Sequence, residues 1–362
     1  MHILFITRKY PPSTGGMENA AFELYTALSA VNDVTLVKWG GANKLLPIVY
    51  PWLFVQALAS AIRRRPDIIY LQDGIMAPLG WLLKLLVRRP TVMTIHGKEA
   101  TYANPLYQMI VPRFVVKQTL LVTVSNETKR IVQKAFPGTN PLVIFNGVTD
   151  GFYAPERRDA QYEAVAAALN MPATELKHYK ILHTNGRLVR RKGVLWFVDE
   201  VLPKLVAERP VLYVVSGTGK DQELIETAIA DRGLQKQVRL LGRVSGDVLR
   251  NLYNVADLFV MPNIPVANDM EGFGLVALEA ASCGTPVIAS KLEGIPDAII
   301  DGYNGFLLEP LNVAEYVRVI LRELKQPTLN PQTVRDFTLK HYAWTEMARQ
   351  YDAAMQHLLV RR

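Results

Sequence analysis

The chain is short of several residues and patterns that would point to other architectures. One cysteine, Cys283, stands in 362 residues. A single thiol forms neither an intrachain disulfide nor a cysteine metal cluster, which fits a reducing, cytoplasmic compartment. No G-x-G-x-x-G follows the first apolar run, so the fingerprint of an NAD dehydrogenase is missing. No helix-turn-helix, zinc or aromatic RNA-binding pattern is present, and no nucleic-acid partner is expected. No Asp-x-Asp pair follows a strand-like segment. Solenoid repeats and low-complexity tracts are lacking too.

Long clean apolar runs are also scarce. The stretch 45–65 carries two prolines and Gln56, and 75–89 is short and carries Lys84. A membrane span wants about 20 apolar residues, so both read as buried or interfacial helices. Trp52 and Trp81 beside arginine clusters also suit a monotopic contact with a membrane surface. The opening "MHILFITRKY" is apolar for too few residues to be a secretory signal and reads as a first buried strand.

Acidic residues are scarce in one half only. Residues 1–163 hold 18 Lys/Arg against 11 Asp/Glu, whereas 164–362 hold 23 against 22. Nearly all of the net charge of +8 therefore belongs to the first half. A one-sided positive domain suggests an anionic partner, such as an anionic membrane surface, a nucleic acid or an acidic substrate, or simply solvated helix faces.

What the chain does have is rhythm. "HILFIT", "VTLVKW", "DIIYLQ", "TVMTIH", "LLVTVS" and "LVIFN" read as strands in the first half. "YKILHT", "VLYVVSG", "VRLLG", "LFVMPN" and "PVIAS" do so in the second. The runs are continuous rather than alternating, as in parallel strands buried on both faces. Strand–helix alternation implies right-handed βαβ units. The series restarts near Tyr179, after a polar stretch. The expected fold class is α/β, with two doubly wound Rossmann-like domains facing a central cleft. The expected boundaries are 1–165 and 166–344. Ligands of such sheets bind at the C-terminal strand ends.

"NDMEGFGLVALEAASCGTPVIAS" (268–290) carries the sharpest signal. Gly272 and Gly274 let a ligand approach, and the N–H groups of Phe273, Gly274 and Leu275 open a helix as an anion site. Glu279, about five residues into that helix, can accept from a ribose diol. Glu271, on the other side, can grip hydroxyls of a second sugar. That order matches a nucleoside-diphosphate sugar. "NGRLVRRKG" (185–193) adds Arg187 and Lys192 as phosphate-binding cations. Arg190 and Arg191 are expected to face solvent. Gly15-Gly16 and Gly217 mark weaker glycine-rich strand exits. His96 ends a strand before Gly97, at a site edge.

In this order, "GGMEN", "TIHG", "VSN", "FNGV", "GRLVRRKG", "SGTG", "LGRVS" and "EGFGLVALEAASCGTPVIAS" resemble the family-4 retaining glycosyltransferases of GT-B fold. The glutamate pair matches that family's E-x7-E signature. The resemblance implies hexose transfer from a nucleoside-diphosphate sugar, UDP favoured over GDP, to a hydroxyl of a sugar or lipid-linked acceptor. It implies that Glu271 binds the hexose, Glu279 the ribose, Arg187 and Lys192 the leaving diphosphate, and His96 the sugar near its anomeric centre. Gly16 would let backbone N–H groups reach the phosphates. Arg243 and Val244 would lie by the base. It also implies that a C-terminal helix, about 345–362, returns to the first domain. No metal or other cofactor is expected beyond the sugar-nucleotide co-substrate, because fixed cations stand where a metal would. The location expected is cytoplasmic, peripheral on the inner membrane face. Where that family commonly has Asp, three residues after the Asn of "NGV", this chain has Thr149. A sugar-nucleotide epimerase of the same fold and a basic nucleic-acid-binding protein are the alternatives.

Overall fold

The computed structural model describes residues 1–13, 15–102, 104–150 and 158–360, with the side chain of Asn43 excepted. The chain divides into two compact units, Met1–Gly147 with Tyr342–Arg362, and Val148–His341. Part of the stretch expected to link them, 151–157, lies outside the described residues. The boundary expected at 165/166 falls earlier. Helix Arg158–Ala168 buries Val165 and Ala166 in the second unit's core, against Ile181, Leu212 and Leu252.

The first unit has a parallel sheet of six strands: β1 (His2–Thr7), β2 (Asp33–Lys38), β3 (Ile68–Leu71), β4 (Thr91–Ile95), β5 (Leu120–Thr123) and β6 (Leu142–Val143). Their spatial order is β2-β1-β3-β4-β5-β6. β3 and β4 are buried along their whole length, which explains their unbroken apolar sequence. Right-handed crossovers place the helices of the β2–β3, β3–β4 and β4–β5 connections on one face of the sheet. These helices are Leu46–Arg64, Ala77–Val87 and Pro105–Val115, and all three feed one core cluster. Helix Gly16–Ser29 packs instead against the C-terminal helix, Trp344–Val360. That last helix is anchored by Tyr351, whose hydroxyl bonds Thr94 Oγ1 at 2.9 Å and whose ring meets Tyr70 edge-on at 5.7 Å.

Leu46–Arg64 is one continuous helix of 19 residues despite Pro51. By length and composition it could cross a membrane. Its buried residues are Val49, Leu53, Ala57 and Ala61, which pack into the unit's core.

The second unit repeats the plan with β7 (Lys180–Asn185), β8 (Val211–Ser216), β9 (Val238–Gly242), β10 (Leu258–Met261), β11 (Val287–Ser290) and β12 (Gly305–Leu308). The order is β12-β11-β10-β7-β8-β9, so it reverses between β7 and β10. β12 has no counterpart among the expected strands. It is four residues long, led by glycine, and pairs in register with β11.

His183 sits at the centre of this sheet, fully buried among Tyr253 and Phe259. Burial pushes its pKa down to about 3. The folded chain therefore holds it neutral, while the unfolded chain protonates it below about 6.5. Its contribution is intact above that pH and is lost as pH falls toward 3. Between pH 7 and 5 this residue should cost about 2 kcal/mol of stability. Urea titrations at the two pH values check this: the pH-dependent loss should shrink by about that amount in His183→Phe.

Candidate active site at the second switch point

A doubly wound sheet opens a crevice where its strand order reverses, here outside the ends of β7 and β10. After β7 the chain runs through Gly186 and Arg187 into a tight 3₁₀ turn, Arg190–Lys192. Successive side chains on such a turn diverge by about a third of a revolution. Arg190 therefore points to solvent, whereas Arg191 and Lys192 are buried. The expectation that Arg191 faces solvent is corrected. Its Nε lies 3.2 Å from Asp269, and its Nη1 donates to Glu271.

Glu271 is the hub. Its Oε2 accepts from Arg191, from Lys192 Nζ at 2.5 Å and from Asn263 Nδ2 at 3.3 Å. Oε1 takes none of these three bonds. Burial opposes the charge on Glu271, but Lys192 and Arg191 outweigh it and hold the carboxyl down to about 2. The group therefore stays ionised across the neutral range. The backbone of Glu271 is clamped as well. Its N–H donates to the Glu293 carboxylate, and its carbonyl accepts from Gly294 at 3.2 Å. A Cβ on Gly294 would stand 2.2 Å from the Gly272 carbonyl, so only glycine lets these two loops meet. Burial lowers the Lys192 pKa, Glu271 opposes that, and the neighbouring charges of Arg191 and the exposed Arg187 add to the lowering.

The helix that follows is Leu275–Ser282. Gly274 precedes it with φ 102°, and no side chain caps its start. Phe273 is buried and Leu275 half-buried. Glu279, one turn in, accepts from the Tyr253 hydroxyl at 2.7 Å. Tyr253 in turn accepts from Asn185 Nδ2 at 3.0 Å, and Asn185 Oδ1 accepts from Ser216 at 3.0 Å. His183 Nε2 closes the chain on Ser216 at 3.0 Å. A line of hydrogen bonds thus runs from the core to Glu279 and fixes its orientation.

The exits of β8 and β9 join the same rim. Gly217 N–H donates to the Gly242 carbonyl at 2.7 Å, beside Arg243 and Val244. Gly217 has φ 119°, and a Cβ there would fall 1.9 Å from the Gly186 carbonyl. This backbone contact stitches the β8 exit to the β7 exit, and a larger residue would break it.

The first unit has its own switch point, between β1 and β3. Arg8 pairs there with the fully buried Asp73 at 2.9 Å. His96 follows β4. Its Nε2–H donates to the Gln72 carbonyl at 2.9 Å, and its backbone N–H faces the Glu99 carboxylate at 3.2 Å. Gly15 and Gly16 are exposed at the start of helix Gly16–Ser29. The carboxylate of Glu18 lies against Gly15 and is paired with Lys9 at 2.9 Å. That helix start therefore already faces an acid of its own first turn. Among the described residues, no three His, Cys, Asp or Glu side chains gather as a metal site would require.

Motif reading named Glu271, Glu279, Arg187 and Lys192, and the structure brings Glu271 and Lys192 into contact. Motif reading missed Arg191, Asn263, Tyr253 and Glu293. Of these, Glu293 carried a signal. It precedes Gly294 and comes just after β11, in "LEGIP", a turn sequence at a strand exit, and it has φ 54°.

Two doubly wound parallel sheets, the second with buried cations at its switch point, define a two-domain α/β protein. The model described as Glycosyltransferase Family 4 matches residues 14–151, and that described as Glycosyl transferases group 1 matches 179–326. A glycosyltransferase of Methanocaldococcus jannaschii with no characterised activity is 26% identical over 80% of this chain and 76% of its own length. A GDP-mannose-dependent alpha-(1-6)-phosphatidylinositol monomannoside mannosyltransferase of Mycolicibacterium smegmatis is 26% identical over 86% of each. The Anabaena protein HepE, solved with UDP and glucose, superposes with a TM-score of 0.74 at 20% identity, over 98% of this chain and 99% of that one. The chain belongs to the family-4-like glycosyltransferases of GT-B fold.

The buried ion cluster predicts a large, coupled stability effect. Glu271→Gln leaves Lys192 and Arg191 buried with one acid fewer and should cost about 3 kcal/mol. Adding Lys192→Met should cost much less than the sum of the two single changes. Strict additivity in urea denaturation would show that the pair does not act as a unit.

Proposed function

We propose that this glycosyltransferase is retaining and metal-independent. It moves a hexose from a nucleoside-diphosphate sugar to a hydroxyl of a sugar or lipid-linked acceptor. The observation that carries this reading is the cluster at the β7/β10 switch point. It sets two buried cations, the Glu271 carboxylate that they share and a helix start with no side-chain cap within one loop system. UDP is the first donor to test. GDP-mannose is the second reading, which the mannosyltransferase relative favours.

In this reading the diphosphate lies at the start of helix Leu275–Ser282, with Lys192 and Arg187 beside it. Glu279 accepts from the ribose hydroxyls. Glu271 Oε1 accepts from the hexose, while Oε2 keeps its cations. Arg191 positions Glu271 and Asp269 rather than touching phosphate. Arg243 and Val244 flank the base, and Gly217 holds the β8 exit against the β7 exit beside them. The anomeric carbon–oxygen bond breaks, and its electron pair stays on the diphosphate. The acceptor oxygen bonds the same carbon from the same face, and its proton passes to a phosphate oxygen. Lys192, Arg187 and the helix start stabilise the charge that develops, the role a metal takes elsewhere.

A thermal-shift panel of UDP, GDP, ADP and their sugars tests the donor. One nucleotide should raise the midpoint by several degrees, in EDTA as well as without it. Glu279→Ala should abolish the rise, and Tyr253→Phe should weaken binding about tenfold through loss of one hydrogen bond to a charged group. Lys192→Ala should lower kcat by about a hundredfold or more. An inverted anomeric configuration in the product would refute retention. Sugar-nucleotide conversion without an acceptor would point instead to an epimerase.

A further inference from the structure

The three helices on one face of the first sheet carry an apolar surface that the fold does not use. On Leu46–Arg64 the buried residues are Val49, Leu53, Ala57 and Ala61. Ile48, Trp52, Val55 and Ile62 recur at i, i+4, i+7 and i+14, on the opposite side of the same helix. All four are exposed, Ile48 at 74%. The neighbouring helix Ala77–Val87 buries Leu79 and Leu83 and exposes Leu82, Leu85 and Leu86. Pro105–Val115 buries Tyr107 and Val111 and exposes Leu106, Met109 and Ile110. The first of these helices packs against the second, and the second against the third, so the ridges lie side by side. Isolated exposed leucines need no explanation, but a contiguous apolar patch does.

Charge says what covers it. The three helices contain no Asp or Glu. Across residues 43–118 there are ten Lys/Arg and three acids. All three acids are used elsewhere. Asp67 accepts from the His2 N–H, Asp73 is buried on Arg8, and Glu99 is buried beneath His96. Arg63 and Arg64 end the first helix, and Arg88 and Arg89 follow the second. Lys117 lies over the rings of Trp81 and Phe114, which join the second and third helices. Trp81 is thus a packing residue, and Trp52 is the exposed one. An acid-free apolar face with a basic border repels a copy of itself and matches an anionic bilayer. The first helix cannot span that bilayer while its other side forms the sheet's core.

We infer that this three-helix face lies flat in the interface of an anionic membrane, with Ile48, Trp52 and Met109 entering the acyl boundary. The inference rests on the first unit alone and does not depend on the donor reading. Flotation of the full chain with vesicles of phosphatidylcholine, alone or with about 30% phosphatidylglycerol, tests it. Binding should be strong to the anionic vesicles, weak to the neutral ones, and reduced at high salt. Trp52→Glu/Met109→Glu should lower vesicle affinity at least tenfold while circular dichroism and nucleotide binding stay unchanged. Arg64→Gln/Arg89→Gln should remove most of the preference for anionic vesicles. A folded protein that ignores both vesicles, or binds them equally, overturns the proposal. So does a lipid-free dimer that the Trp52→Glu/Met109→Glu change dissociates, since a second copy would then cover the face.

Discussion

One largely covered carboxylate, 13% exposed, between two buried cations organises the second unit. Charges taken out of water are costly, and only close, well-directed partners offset that cost. Glu271 meets the condition from several sides at once. Lys192 and Arg191 come from the turn after β7, Asn263 from the exit of β10, and Glu293 with Gly294 from the exit of β11. Three strand ends are tied to one residue. The loop that opens helix Leu275–Ser282 is thereby held from three strand ends, which in the proposed reading preorganises it for electrostatic stabilisation.

The two units solve the same architectural problem with different polar chemistry. Both place ionic groups at the point where strand order reverses. In the first unit the groups pair off: Arg8 with Asp73, and Lys9 with Glu18. In the second, two cations share one glutamate oxygen and Arg187 stands nearby. Three cations, Arg187, Arg191 and Lys192, gather at the second switch point with Glu271, Asp269 and Glu293 among them. The basic character of the first half, by sequence, is therefore a poor guide to where the buried cations lie. That excess sits on helix surfaces.

Helix Leu46–Arg64 shows how one segment answers two demands. Its inward stripe completes a core, and its outward stripe remains apolar, where an ordinary surface helix would be polar. The absence of acids on it and on its two neighbours is what separates this face from a mere excess of leucine.

The order of strands and helices was legible because buried parallel strands must be apolar along their length. β12 escaped because four residues beginning with glycine carry too little pattern, and its partner β11 supplies what local sequence does not. Glu271, Glu279, Arg187 and Lys192 were legible because their spacing relative to glycines is itself a motif. Arg190 and Arg191 could not be told apart, because adjacent identical residues differ only in where a 3₁₀ turn points them. Tyr253, Asn263 and Glu293 come from separate strands and helices, and their roles exist only once the sheet brings those ends together. The amino-acid sequence alone thus determined the two doubly wound units and the residue types of the site. Tertiary structure decided which charges are buried, since burial depends on neighbours distant in the chain, and burial is what turns a basic loop into an ion cluster.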